Sequence, residues 1–328
     1  MKYRQLGNTG LTVSEVGFGA WTLTSGWWGE HGDDAAVNLL RVAFDLGVNF
    51  FDTADVYGDG RGETVLAAAL GPVRNRCVIA TKFGYNWYDH ERTAGQREHP
   101  QDFSPAFLRR AFEESLRRLN SDWIDFLQLH NPRMNHLQSD ELFEELAKLR
   151  DEGKLRAWGA ALGPAIGWRD EGLYAIRERQ LPALQIIHNM LEQEPGRDLL
   201  AAGKETGCGF VARVPHSSGL LEGHYTEETT FPPGDHRNHR PRAWLVEGLK
   251  KIEKLRFIEV EGRTLGQAAI QWLLSQPGTA SVLPNIYDEA QLREFASASE
   301  SPALGESELL EIERLYAANF ELVREAAT

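Results

Sequence analysis

Cysteine occurs only twice in 328 residues, at Cys77 and Cys208, and both positions lie in apolar, strand-like runs. So few thiols exclude a disulfide-stapled scaffold and point to reduced core cysteines in a cytoplasmic compartment. No run of 18 apolar residues occurs, so no membrane-spanning helix is expected, and the opening MKYRQLGNTG has no apolar signal-peptide core. Basic residues are the minority: 35 Lys and Arg against 48 Asp and Glu leave a net charge of −13, which argues against nucleic acid or anionic membrane as the main partner. Low-complexity tracts and dividing Pro/Gly linkers are also missing, so residues 1–328 read as one domain. With 42% hydrophobic residues, a chain of this length buries a large core unaided.

What is present is alternation. Short β-type runs are expected at Glu15–Ala20, Val48–Asp52, Cys77–Thr81, Ile124–Leu129, Leu155–Ala160, Ala183–Ile187, Gly209–Arg213 and Ala280–Pro284, several almost wholly apolar, as for parallel strands covered on both faces. Helical signals lie between them. Ser104-Pro105 is a cap followed by an N1 proline, and Phe107, Leu108, Ala111, Phe112, Ser115, Leu116 and Leu119 then share one face. Leu142, Phe143, Leu146 and Leu149 repeat the pattern after Ser139, and later helices are expected at Arg169–Arg179, Arg197–Thr206, Ala243–Glu259, Thr264–Ser275 and Glu289–Ala296, with another after Ser307. A small hairpin around Asn8-Thr9-Gly10 opens the chain. Helix-to-strand turns are brief and contain glycine, whereas strand-to-helix connections at residues 22–33, 83–103 and 214–242 are long. Eight βα units elaborated on one side describe an α/β (β/α)₈ TIM-type barrel with an N-terminal hairpin and extra helices, whose active site lies at the C-terminal face. The competing doubly wound sheet normally carries G-x-G-x-x-G after an early strand, and that motif is missing.

On this frame, three consecutive strands end in ionisable residues: Asp52, Lys82 and His130, with Tyr57 in the loop after Asp52. An Asp after a strand is often a turn former and a lone His often a core residue; arrival together at one face points to catalysis instead. A free phenol, with a pKa of about 10, is a poor acid at neutral pH. A neighbouring ammonium favours its phenolate, and a carboxylate keeps that ammonium charged. Such a phenol protonates a carbonyl oxygen as charge develops there, while an imidazole orients the carbonyl. Reduction then requires a hydride that no side chain supplies, so a nicotinamide is implied.

The stretches KYRQLGNTGLTVSEVGFGAW, GVNFFDTADVYGDG, VIATKFG, SLRRLNSDWIDFLQLHNP, EGKLRAWG, SSGLLEGHY and AAIQWLLSQPG are similar to the aldo-keto reductase family along nearly the whole chain, within a bacterial subgroup of general-stress and inositol-type oxidoreductases. That resemblance implies a TIM-type barrel using NAD(P)(H) without a Rossmann domain, with Tyr57 as proton donor, Lys82 and Asp52 tuning it and His130 positioning the carbonyl. The implied activity interconverts a small aldehyde, ketone or sugar-like carbonyl and its alcohol. Two other readings stay open: a cofactor-sensing regulatory subunit with little turnover, and redox-neutral chemistry on a retained nicotinamide.

The implied cofactor contacts are Gln185, Arg213, Pro215, Gly219, Leu220, Pro284, Asn285, Tyr287, Asp288 and Gln291, and several depart from the family pattern. Ala161 and Leu162 replace a Ser-Asn pair that holds the carboxamide, Arg213 replaces a stacking aromatic, and Tyr287 stands where an Arg often meets a 2′-phosphate. Asp288 reads as a helix cap; facing a ribose instead, it would favour NAD(H). NADP(H) is therefore the expected cofactor on family frequency, with NAD(H) open, and the helix start near Asn285 suits a phosphate. Trp28 and Trp87, in aromatic loops at the catalytic end, are the candidate substrate-pocket residues. Asp235, His236 and His239 fall in a loop expected to be a solvated lid rather than a metal site, and His188 and Asn189 read as structural.

Overall fold

The computed structural model describes residues 1–29, 31–89, 98–163 and 168–322. Strands β1 (Tyr3–Gln5) and β2 (Thr12–Ser14) pair antiparallel, Tyr3 opposite Ser14, around a turn in which Gly10 takes φ 73°. Eight further strands follow: β3 (Phe18–Gly19), β4 (Phe50–Asp52), β5 (Val78–Phe83), β6 (Ile124–His130), β7 (Leu155–Ala161), β8 (Ala183–Ile187), β9 (Gly209–Arg213) and β10 (Thr279–Leu283). Each pairs in parallel with its sequence neighbour. The ring closes where Gly17 N–H donates to the Val282 carbonyl and Val282 N–H to the Glu15 carbonyl, both at 2.9 Å. The chain is a (β/α)₈ barrel with an N-terminal hairpin, as its sequence implies.

The surrounding helices are α1 (Trp21–Thr24), α2 (Asp33–Asp45), α3 (Arg61–Leu70), α4 (Pro105–Leu119), α5 (Met134–Leu137), α6 (Asp140–Asp151), α7 (Arg169–Arg177), α8 (Gly196–Thr206), α9 (Arg242–Leu255), α10 (Leu265–Ser275), α11 (Glu289–Ser297) and α12 (Glu306–Ala317). Caps fix several starts: the Ser104, Ser139 and Thr264 hydroxyls accept the backbone N–H of Phe107, Leu142 and Gln267. The long helix expected at Ala243–Glu259 stops earlier, α9 tightening into a 3₁₀ turn at Arg256–Ile258. Among the described residues no helix is long and apolar enough to cross a membrane.

Strand parity sets the interior. Side chains alternate along a strand, so every second residue faces the barrel axis. Phe50, Val78, Phe126, Ala183 and Val211 form the lower interior, closed from beneath by Leu6, Leu11 and Val13 of the hairpin segment. Two residues further along β4, β6, β8 and β9, and four along β5, the same face carries Asp52, Gln128, Gln185, Arg213 and Lys82. A polar layer thus lies directly above an apolar plug. β7 contributes only small inward residues, Ala157, Gly159 and Ala161, and a Cβ at Gly159 would sit 2.2 Å from the Ala183 carbonyl oxygen and 2.6 Å from the Phe126 ring. Glycine there lets Phe126 fill the axis.

Candidate active site

Asp52 ends β4 and is 4% exposed, and Lys82, one residue before the end of β5, is 1% exposed. Lys82 Nζ donates to Asp52 Oδ1 at 2.5 Å and to the Thr53 carbonyl at 2.8 Å. Gln128 Nε2 and Gln185 Nε2 both donate to Asp52 Oδ2 at 2.8 Å, and Gln185 Nε2 also reaches Gln128 Oε1 at 3.2 Å. Burying an ion pair is worthwhile only where its remaining lone pairs are satisfied, and here three donors hold one carboxylate. The Lys82 ammonium lies 4.9 Å from the centroid of the Tyr57 ring.

Tyr57 stands edge-on to His130, ring centroids 5.8 Å apart, and Tyr85 also meets His130 edge-on, at 4.9 Å. Tyr85 is itself held by Asn131 Nδ2, which donates to its hydroxyl at 2.8 Å. Burial, with the Lys82 and Arg213 charges, pushes the His130 imidazole well below its usual range, so the ring is neutral, and its Nδ1 has no partner among the described residues. A neutral imidazole and a phenol over an ammonium form a site able to orient a carbonyl and hand it a proton. All four predicted catalytic side chains therefore converge at the C-terminal mouth. Gln128 and Tyr85 belong to the same cluster and were not among the residues expected; Gln128 shares strand and face with His130, two residues before it.

Above them opens a cavity of about 890 Å³, bordered by Asp52, Tyr57, His130, Gln185, Arg213, Pro284, Asn285 and Trp28 among others. Its volume falls in the range of ligand sites, roughly 300–1,000 Å³. A nicotinamide fits this wall: Arg213 NH2 donates to the Leu162 carbonyl at 2.7 Å, its Nε and His130 Nδ1 are without partners, and Gln185 and Asn285 add amides. The other predicted cofactor residues lie outside the cavity lining. Leu220 is buried beneath Gly248, Gly219 takes φ 98° with its α-carbon against the Tyr225 hydroxyl, and Pro215 lies in the turn after β9. Tyr287 packs on Trp28 with centroids 5.5 Å apart, Asp288 Oδ1 caps α11 through Gln291 N–H at 2.8 Å, and Gln291 Nε2 donates to Glu222 at 3.2 Å.

The two candidate substrate aromatics part company. Trp28 lines the cavity, whereas Trp87 stacks on Tyr88 at 4.4 Å, with the Arg118 guanidinium 5.5 Å from its ring, and is not on the cavity wall. Trp87, Tyr88 and Asp89 of the connection at residues 83–103 face Arg118 and Arg110 of α4, and its residues 90–97 lie outside the described residues. The loop after β9 also differs from a solvated lid. His236 N–H donates to the Trp27 carbonyl at 2.8 Å, and its ring sits among Trp21, Trp27 and Trp28, with centroids 5.1, 5.6 and 5.8 Å away. Two loops far apart in sequence thus make a common roof. His188, buried against Trp272 at 5.0 Å, and Asn189, bridging Glu192 and the Val214 carbonyl, hold the segment after β8. Among the described residues no cluster of His, Cys, Asp or Glu is arranged to hold a metal.

A barrel whose mouth gathers a buried Lys–Asp pair, a phenol and a neutral imidazole beside a nicotinamide-sized cavity is that of a carbonyl–alcohol oxidoreductase. Residues 15–317 match the Aldo/keto reductase family, and the chain belongs to it. It is similar to Aldo-keto reductase YhdN of Bacillus subtilis (strain 168), 30% identical over 293 residues, covering 85% of this chain and 82% of that one. It is also similar to L-galactose dehydrogenase of Arabidopsis thaliana, 32% identical over 316 residues, 93% and 90% of the two chains. Among solved structures, the glycerol dehydrogenase AKR11B4 from Gluconobacter oxydans superposes with a TM-score of 0.81 at 26% identity, covering 99% of this chain and 98% of that one. The family is one of oxidoreductases that act on small carbonyl compounds with a nicotinamide cofactor.

Proposed function

We propose that this chain interconverts a small aldehyde, ketone or sugar-like carbonyl and its alcohol, with Tyr57 as the proton donor to the carbonyl oxygen. The observation that carries this reading is the buried Lys82–Asp52 pair beneath the Tyr57 ring, its carboxylate fully occupied by donors. The positive charge of Lys82 stabilises negative charge developing on the Tyr57 oxygen, and Asp52 holds that charge in place. Neutral His130 orients the carbonyl without competing for the proton. Gln185, Arg213, Ser218, Pro284 and Asn285, all on the cavity wall, would hold a nicotinamide, which would supply the hydride.

NADP(H) is our proposed cofactor. The sequence feature that favoured NAD(H), Asp288, has its Oδ1 engaged in capping α11. The names of two relatives, an L-galactose dehydrogenase and a glycerol dehydrogenase, support a polyhydroxylated carbonyl–alcohol pair as substrate. A cytoplasmic setting accords with Cys77 and Cys208, both free and buried, their thiols pushed up by burial to about 11 and 12.

Tyr57→Phe tests the assignment. It removes the transferable proton and leaves the cavity wall otherwise intact, so turnover of NADPH with small aldehydes should fall by roughly 10²–10⁴-fold, while quenching of tryptophan fluorescence by the cofactor persists. Near-normal turnover in this variant would overturn the role given to Tyr57.

A further inference from the structure

The cavity wall carries two guanidinium groups that meet no carboxylate among the described residues. Arg213 stands at the C-terminal end of β9, at the base of the cavity; Arg240 belongs to the roof, just after the 3₁₀ turn His236–His239. Arg240 packs its guanidinium 5.3 Å from the Trp244 ring, and its Nε is buried without a hydrogen-bond partner. Trp28, 7% exposed and on the same wall, also has an unpartnered buried Nε1. The His236 ring lies 5.8 Å from Trp28, and the Arg240 charge helps to depress its proton affinity; the guanidinium on the Trp28 ring itself is that of Arg237, 4.6 Å from its centroid and paired with Asp235 at 2.7 Å. Indole N–H and guanidinium N–H are donors only, so neither group can satisfy the other.

The acids on this wall do not answer them. Asp52 has its three donors; Glu192 takes Asn189 at 2.8 Å and Ser217 at 3.2 Å; Glu98 takes Arg133 at 3.5 Å; and Glu194 faces Arg197 at 3.9 Å. Asp59 is exposed at the rim. The unpaired charge on the roof is therefore cationic, beside two further unpartnered polar atoms, His236 Nδ1 and the Tyr287 hydroxyl.

We propose that the physiological substrate is a carbonyl compound bearing a carboxylate remote from the reacting carbon, and that Arg240 and Trp28 Nε1 bind that carboxylate. The assignment rests on the oxidoreductase reading above and adds the charge of the substrate to it. A guanidinium and an indole N–H on one cavity wall offer a carboxylate one charge-assisted and one neutral hydrogen bond in a partly dry setting. Arg240 and Trp28 act in binding and orientation, and the chemistry stays with Tyr57.

The test compares anionic and uncharged partners of matched shape: 4-carboxybenzaldehyde against 4-methylbenzaldehyde, and 4-oxobutanoate against butanal, with the corresponding alcohols titrated onto NADP⁺-loaded protein by tryptophan fluorescence. The wild type should prefer the carboxylate member of at least one pair by about tenfold, expressed in KM and in alcohol affinity rather than in kcat. In Arg240→Gln that ratio should fall toward one, Arg240→Lys should recover part of it, and Trp28→Phe, which keeps the aromatic wall, should lower it about threefold. No preference in the wild type for either pair, or a ratio unmoved by both Arg240→Gln and Trp28→Phe, overturns the proposal. So does an Arg240→Gln variant whose loss appears equally in NADP⁺ affinity, because the anion would then be the cofactor's. Absent turnover with all four carbonyl compounds would count against the oxidoreductase reading, while the alcohol-binding ratios still decide this one.

Discussion

Replacing Asp52 by Asn changes one atom and no volume, yet the hydrogen-bond inventory around it cannot be rebuilt. The carboxylate accepts Lys82 Nζ on Oδ1 and the Gln128 and Gln185 amides on Oδ2. An asparagine offers one accepting oxygen and one donating nitrogen. If the oxygen stays with Lys82, an N–H faces two other N–H groups, and both glutamines must flip although Gln185 also donates to Gln128. If the oxygen faces the glutamines, the ammonium keeps only the Thr53 carbonyl at a site 1% exposed. Removing one member of a buried pair costs about 3–5 kcal/mol. With an unfolding entropy near 2.1 cal/mol/K per residue, this chain should lose about 4–7 °C in thermal midpoint. Scanning calorimetry of cofactor-free wild type and variant measures this directly, and turnover should fall as well. A midpoint within about 1 °C of wild type would mean that the pair is not held as described, and the account of the site would fail with it.

Asp55→Asn should act in the opposite sense. Burial and the nearby Glu63 carboxylate push the Asp55 carboxyl well above its usual range, and its Oδ1 has no partner. Above an unfolded-state pKa of about 3.9 the unfolded chain releases a proton that the folded chain retains, so this group lowers stability by up to about 1.4 kcal/mol per pH unit until its folded-state pKa is reached. The asparagine variant should therefore gain on wild type as pH rises from 5 to 8; a constant difference across that range would refute the reading. His236, lowered to about 4 mainly by burial, gives stability that falls as pH drops from about 6.5 toward 4, where the unfolded ring is protonated and the folded one is not. Acidification through that window should loosen the roof and change the fluorescence of Trp21, Trp27 and Trp28, and His236→Gln should flatten that change.

The barrel was legible because its signals are local. Nearly continuous apolar runs marked the strands, Ser104-Pro105 and Thr264 marked helix starts, and a strand-end position is enough to place Asp52, Lys82 and His130 at one face. Parity alone would also have found Gln128, on the His130 face of β6, but an uncharged amide attracts no notice until its acceptor is known. α2 and α3 carry weaker signals: their N-cap positions are Gly32 and Gly60, with no side-chain cap. What sequence could not show depends on where long loops land. Trp87 looked like a pocket wall, yet stacking on Tyr88 and the Arg118 charge draw it to α4. His236 looked solvated, yet three indoles contributed from more than 200 positions earlier enclose it. The state of Asp55 depends on Glu63, Tyr88 and Arg118, which meet only in the folded chain.

The hairpin beneath the barrel has a consequence for traffic. With Leu6, Leu11 and Val13 seated against Phe50, Phe126 and Val211, the floor is plugged by apolar side chains among the described residues. On the oxidoreductase reading proposed above, both reactants would then enter from the mouth, and the deeper one would leave only after the other. Ordered binding and release, read from product-inhibition patterns, would be the kinetic mark of a stopper three residues wide at the far end of the molecule.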